Sequence, residues 1–334
     1  MAQPVNLDRA PSKAALERLC ELVARGSRPA NVRRLRGGID TSMHAFDLVE
    51  RSGMRRRLVL KRFDPRWTSR DLGIHCRRVT QTLAALEQLT LPAPRPVWSD
   101  PEGSVFGTPA IVMTRVPGRV VWNPSNPEDW ANQLATTLAA LHRTPLDCVD
   151  LSFLPDAGVT LESRIAAVAR DAVLIDAYPH GPEARELLQR LLPRLRPVAP
   201  VLTHGDFYPG NVLWTRGRLQ AIVDWDYAAL SAPDVDVAKC CVALATQHSE
   251  EAADSFLRAY EAASGQRLLQ LHFWDLLTAV RATRNVHLWA AGMHDFGRPD
   301  ATGEWLSAGL ERFMLKALAA ANQTQAASVR SAIE

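Results

Sequence analysis

The chain has 334 residues, 47% of them hydrophobic and 22% charged, with a formal net charge of +3; these are the values of a folded globular protein and exclude a disordered chain, and the length favours two lobes with a cleft between them. The charge is unevenly held, with 20 Lys/Arg against 11 Asp/Glu up to residue 115 and 19 against 25 beyond it. A basic front half could meet nucleic acid, but Arg33, Arg34, Arg36, Arg55, Arg56, Arg57, Arg77 and Arg78 have no aromatic platform interleaved among them, which argues against that partner and leaves a solvated face or a polyphosphate ligand.

In chain order, Ser12 and the apolar spacing behind it predict a helix over 12–25. Residues 32–49 read as a strand, a glycine-containing turn and a returning strand, and 57–63 as a third β segment. A helix over 69–89 ends where Pro92, Pro94 and Pro96 forbid continuation, and short strands follow at 97–98 and 110–114. Beyond Pro117 and Gly118 the pattern turns helical at 128–142, 161–175 and 182–195. Short β segments are expected at 201–203, 212–214 and 220–223, then helices at 234–245, 250–263, 271–291 and 304–321, with 322–334 polar and small enough to fray. The expected class is therefore α+β, an antiparallel β-rich lobe over 1–115, a hinge near 115–118 and a mostly helical lobe over 116–334.

Five cysteines, odd in number and without C-x-x-C spacing, point to a reducing compartment and no structural zinc. The first residues lack an apolar leader core, and the apolar run near 237–245 is short and broken by Lys239, so a cytoplasmic chain with no membrane partner is expected.

The chemistry concentrates in Thr203-His-Gly-Asp-Phe-Tyr-Pro-Gly-Asn-Val-Leu-Trp214 and in Ala221-Ile-Val-Asp-Trp-Asp226. His204, Asp206 and Asn211 form H-x-D-x-x-x-x-N, and Asp224 stands 13 residues after the asparagine at the end of an apolar strand. Phosphoryl transfer needs a carboxylate to orient and deprotonate an attacking hydroxyl, which suits Asp206. It also needs oxygen ligands that hold Mg²⁺ against phosphates, which suits Asn211 and Asp224. Either segment alone would read as an ordinary turn or strand end; together, at this spacing, they define a candidate site.

These residues resemble the signature of the aminoglycoside phosphotransferase and choline kinase group of kinase-fold enzymes, HGDxxPGN followed by IDWD or IDFE. The resemblance extends more weakly over most of 32–246, including Leu35-Arg-Gly-Gly38, Leu60-Lys61, Ile111-Val-Met-Thr-Arg-Val-Pro-Gly118 and Leu138-Ala-Ala-Leu-His-Arg143. It implies a two-lobed protein-kinase-like fold, ATP or GTP with Mg²⁺, Asp206 as catalytic base, and Asn211 and Asp224 as metal ligands. It places Gly37, Gly38 and Ser42 on the nucleotide loop, the backbone of Thr114 and Val116 at the nucleotide base, and Lys61 at the phosphates. By itself Lys61 could equally be the exposed member of an alternating strand, although it is the sole lysine between Lys13 and Lys239.

One departure concerns that lysine's glutamate partner, whose helix position is occupied by Val79; Asp71 or Glu87 could substitute, or the lysine could be held otherwise, and a nucleotide-binding pseudokinase or regulator is the alternative reading. Asp226 stays open between a second metal ligand, an acceptor contact and a turn cap. His204 is expected to brace its loop; Asp234 and Asp236 could cap a helix, and the resemblance suggests that Asp236 also steadies the loop. Asp295-Phe-Gly297 spells a kinase metal tripeptide but lies in the helical C-terminal region, where it reads as a helix end. The expected partner is a small-molecule hydroxyl acceptor, an antibiotic, amino-alcohol or sugar metabolite, served by a monomer or homodimer. Glu250, Glu251, Asp254, Asp275, Asp295 and Glu304 would favour a cationic acceptor if they line its site, and Trp225, Trp274, Trp289, Trp305 and Phe273 would offer cation-π surface, although exposed acidic faces and core packing are the plainer readings.

Overall fold

The computed structural model describes residues 7, 10–35, 41–65, 71–295 and 297–331, with the backbone alone for 295 and 324–331. The chain divides into two compact units, one of Met1–Gly118, Asp147–Phe153 and Gln220–Asp226, the other of Arg119–Leu146, Leu154–Leu219 and Tyr227–Glu334.

In the first unit helix α1 (Lys13–Val23) begins where the Ser12 hydroxyl accepts the Ala15 N–H. Strands β1 (Arg28–Arg34), β2 (Thr41–Val49) and β3 (Arg55–Phe63) follow, then α2 (Leu72–Gln88), β4 (Pro96–Asp100) and β5 (Ala110–Thr114). The strands form one antiparallel sheet in the order β1-β2-β3-β5-β4. Leu58 and Leu60 of β3 join Phe46, Leu48 and Val112 in a core against Leu16, Leu19 and Cys20 of α1. The two-residue alternation of a strand then turns Val59, Lys61 and Phe63 to the opposite face, where the Phe63 ring meets His75 of α2 edge-on.

The second unit is mostly helical: α3 (Pro127–His142), α4 (Ala157–Arg170), α5 (Ala172–Asp176) and α6 (Gly181–Leu191) precede a small β region. That region comprises β6 (Val201–Thr203), β7 (Val212–Thr215), β8 (Arg218–Ile222), whose end passes into the first unit, and β9 (Ala229–Ser231). The helices resume as α7 (Asp234–Gln247), α8 (Glu250–Ser264), α9 (Leu271–Ala282), α10 (Trp289–Asp295) and α11 (Gly303–Ser331). Helix α7 packs against α8, α9 and α11 and is buried almost along its whole length, which accounts for the apolar run noted in the sequence.

Several elements differ from expectation. Strand β9, at Ala229–Ser231, lies outside the expected β segments and pairs with β6. The helix expected over 161–175 breaks at Asp171, and that expected over 271–291 breaks into a 3-10 turn at Val286–Leu288. The segment expected to fray instead continues α11 to Ser331, since 322–331 contains no glycine or proline to stop it. Gly297, with φ +83° and its N–H on the His294 carbonyl, follows the end of α10 as a helix end requires. All five cysteines are free, and among the described residues no helix is long and apolar enough to cross a membrane.

Candidate active site

Lys61 is buried, at 2% exposure, and not the exposed member of its strand. Its ammonium lies 2.6 Å from Asp224 Oδ1 and 2.5 Å from Asp226 Oδ1, all three residues belonging to the first unit. Burial works against the ammonium, but the two carboxylates outweigh it and hold the lysine pKa above its ordinary value. Burial likewise works against the Asp226 carboxylate, and Lys61 and His75 prevail, so its pKa is depressed. Asp226 is nearly enclosed and its second oxygen lies 3.4 Å from His75 Nε2 on α2, whereas the Asp224 side chain is about half exposed, at 46%. The turn bearing both carboxylates is tied down where the Ile222 N–H reaches the Pro92 carbonyl and Trp225 Nε1 reaches the Ile222 carbonyl. Asp224 adopts φ +68°, a left-handed conformation that aspartate tolerates at modest cost and that recurs where a side chain is held for function.

This geometry answers the question of the lysine's partner. Val79 is core, Asp71 accepts the Ile74 N–H as the cap of α2, and Glu87 faces Arg95 at 3.6 Å. The carboxylates that meet Lys61 are Asp224 and Asp226, neither of them on α2, which contributes His75 against Asp226. Ser42 is buried and its hydroxyl accepts Arg62 Nη2 at 3.1 Å. The Thr114 N–H and hydroxyl are both committed to Arg95, and Val116 is half-buried just beyond β5. Gly37 and Gly38 lie outside the described residues.

In the second unit the loop after β6 brings Asp206 and Asn211 together. Asn211 Nδ2 donates to the Asp206 carbonyl at 3.0 Å and to its Oδ2 at 3.1 Å. Behind the loop, Asp236 in the first turn of α7 accepts the His204 N–H and the Gly205 N–H, both at 2.7 Å, and meets His142 Nε2 at 3.2 Å. Burial raises the pKa of that carboxyl, but His142 and His204 more than reverse it, so the group is held below its ordinary value. His204 braces its loop by accepting the Asp206 N–H on Nδ1 at 3.2 Å. Gly205, at φ +80°, is required here because a Cβ would collide with the Tyr227 carbonyl. Neither Asp234 nor Asp236 caps α7 in the usual way: its cap is Pro233, without a side-chain bond, and Asp236 spends its oxygens on the loop.

Little in the linear order of residues points to what surrounds Asp206. Lys239 of α7 lies 2.8 Å from Asp206 Oδ1, over the rings of Tyr208 and Trp289 at 5.2 Å and 5.9 Å. Arg164 of α4 donates to the Gly205 carbonyl at 3.2 Å. A lone lysine in an otherwise buried helix was the one available signal. Of the acids proposed to attract a cation, Glu250 faces Arg312 and Asp254 faces Lys316, while desolvation pushes the Asp275 pKa well up. Trp225, Trp274 and Phe273 are core, and Trp305 stacks under Arg298 at 5.4 Å.

Among the described residues no three His, Cys, Asp or Glu gather closely enough to hold a metal by themselves. Mg²⁺ shared with a polyphosphate needs only a few protein oxygens. Within the second unit Asn211 has its amide nitrogen committed to Asp206, so that the oxygen is its remaining donor, and within the first unit Asp224 presents a half-exposed carboxylate; each by itself is the kind of oxygen such a metal accepts.

The sequence model of the phosphotransferase enzyme family (APH) matches residues 31–274. Viomycin phosphotransferase of Streptomyces vinaceus is 28% identical over 185 residues, which are 52% of this chain and 62% of that protein. The chain spans less than two thirds of the length of that relative, and about a fifth of two others named as acyl-CoA dehydrogenase family members. Among solved structures, a candidate aminoglycoside phosphotransferase from Ralstonia eutropha JMP134 superposes with a TM-score of 0.66 at 17% identity, covering 94% of this chain and 99% of that one. The streptomycin–ATP–APH(2″)-IIa ternary complex gives 0.58 at 16% identity, covering 89% and 99%. At these identities the structural matches establish the kinase-like fold.

Proposed function

The chain belongs to the phosphotransferase enzyme family, and we propose that it is a Mg²⁺-dependent kinase that transfers the γ-phosphoryl group of ATP or GTP to a hydroxyl of a small molecule. The observation that carries this reading is the loop at Asp206, whose carboxylate is held by Asn211 and Lys239 while its backbone hangs from Asp236 and His204. A carboxylate fixed in this way can accept the proton of an attacking hydroxyl. Asn211 and Asp224 would hold the metal, which when bound neutralises charge on the phosphates. Lys61 would bind the phosphates and Asp226 would position Lys61, with residues 1–115 serving the nucleotide and 116–334 the acceptor. The ATP complex of a structural neighbour supports a nucleotide donor. Five free cysteines and a nucleotide donor accord with work in the cytoplasm.

The pseudokinase alternative rests on Val79, and the pairing of Lys61 with Asp226 favours the active reading over it. The test is Asp206→Asn, assayed by nucleotide-dependent phosphorylation across a panel of small hydroxyl compounds. The expected loss is about 10²–10⁴ in kcat, roughly 3–5 kcal/mol of barrier, with nucleotide affinity retained. Undiminished turnover by that variant would overturn the reading.

A further inference from the structure

Within the second unit a buried line of polar groups runs from α8 through the end of α3 to the loop that bears Asp206. Tyr260 of α8 is 2% exposed, its ring edge-on to His142 of α3 at 5.7 Å and stacked on Phe256 at 6.4 Å. The Tyr260 hydroxyl lies 2.7 Å from His142 Nδ1 and has no other hydrogen-bond partner among the described residues. Burial, then Asp236 and Asp234, hold the phenol above its ordinary pKa against a weaker pull from Arg143, so the oxygen keeps its hydrogen. A buried hydroxyl hydrogen needs an acceptor, and the one in reach is Nδ1. A ring nitrogen that accepts carries no hydrogen, which leaves the imidazole neutral and protonated on Nε2.

In that form His142 donates from Nε2 to Asp236 Oδ2 at 3.2 Å, the oxygen that also accepts the His204 N–H, while Asp236 Oδ1 accepts the Gly205 N–H. Both oxygens of a fully buried carboxylate are thereby held against the backbone that leads into Asp206. The other tautomer would turn the Nε2 lone pair toward Oδ2, and a lone pair facing a carboxylate pushes it off the His204 N–H. The bond from Tyr260 therefore decides which way the anchor is held. Resting on the kinase reading above, we infer that Tyr260 is a positioning residue of the reaction: its hydroxyl selects the His142 tautomer that donates to Asp236, and Asp236 in turn fixes the loop that presents the Asp206 carboxylate. No proton moves along this line during turnover; its part is to hold each hydrogen in one place.

The test joins proton–nitrogen NMR of the imidazole rings to a kinetic cycle of Tyr260→Phe, His142→Phe and the double variant. In the wild type His142 should show a neutral ring protonated on Nε2, and in Tyr260→Phe that single pattern should be lost. Tyr260→Phe keeps the ring's shape and is expected to lower kcat by about 3–10-fold with the nucleotide KM within about two-fold. In the His142→Phe background the same substitution should change kcat by less than about two-fold, because the group it acts through is gone. A tyrosine that merely packs would show the same loss in both backgrounds, which would overturn the inference, as would no loss in either. A wild-type His142 protonated on Nδ1, or on both nitrogens, would overturn it as well, and this arm decides even if His142→Phe does not fold. None of those results touches the kinase reading, which fails instead if the wild type transfers phosphate to no small hydroxyl compound; the positioning role then falls with it.

Discussion

The Lys239 ammonium stands 2.8 Å from the carboxylate of Asp206, and both side chains keep about a quarter of their surface, 27% each, in contact with solvent. At that exposure the pair contributes little to folding. Its consequence is directional, because it fixes one carboxylate oxygen while Asn211 fixes the other. Lys239→Met, which keeps the stem over Tyr208 and removes the charge, is expected to lower kcat by about 10-fold, roughly 1.4 kcal/mol of barrier, with nucleotide KM unchanged. A faster variant would show instead that the lysine restrains the base.

Asp236 is the buried anchor of the same loop. Removing its carboxylate leaves two backbone N–H groups and His142, itself bonded to the Tyr260 hydroxyl at 2.7 Å, without their acceptor. Asp236→Ala should therefore cost about 3–5 kcal/mol, read as a large fall in Tm. Because the native pKa is depressed below the ordinary 3.8, this contribution is present above that value and is lost as pH falls through the native pKa. Acid melting curves of the wild type should steepen below about pH 4 relative to Asp236→Asn, and identical curves would show that the carboxylate charge is immaterial.

What was legible in the sequence follows from how local each signal is. The α+β class and the antiparallel sheet showed themselves through strand alternation and helical spacing, which depend on neighbours a few residues apart. Asp206 and Asn211 stand five residues apart on one loop, so their association could be read from spacing alone. Lys61 and Asp226 meet across 165 residues, a meeting that no one-dimensional signal reports. Arg164 was invisible for the same reason: it reads as an ordinary arginine on a helix until the fold sets it against the Gly205 carbonyl.

Lys61 separates two roles that one substitution would confuse. Lys61→Ala sets Asp224 and Asp226 against each other without their cation and should lose both stability and activity. Lys61→Arg keeps a charge for the carboxylates but replaces a compact ammonium with a planar fork. It should melt within a few degrees of the wild type while kcat/KM for the nucleotide falls about 10²–10³-fold. Full activity in the arginine variant would reduce Lys61 to a structural ion pair. The pair itself carries two signs: the raised lysine pKa stabilises the fold below its ordinary 10.5 and until pH rises through the native value, and the depressed Asp226 pKa does so above 3.8.

Asp224 tests the metal assignment by a route that needs no acceptor. A ligand that binds only the folded protein stabilises it by about 2.7 kcal/mol at one hundred times its Kd, so Mg²⁺ with nucleotide should raise the wild-type Tm by several degrees. Asp224→Ala removes the half-exposed carboxylate in its left-handed turn and leaves Asp226 to neutralise Lys61, so the unliganded protein should stay folded. In that variant the Mg²⁺-dependent part of the shift should vanish, while any smaller shift from nucleotide alone persists through Lys61. If the Mg²⁺-dependent shift survives in full, Asp224 is not a ligand and its carboxylate serves Lys61 only; if nucleotide alone shifts neither protein, the phosphate role of Lys61 is what fails.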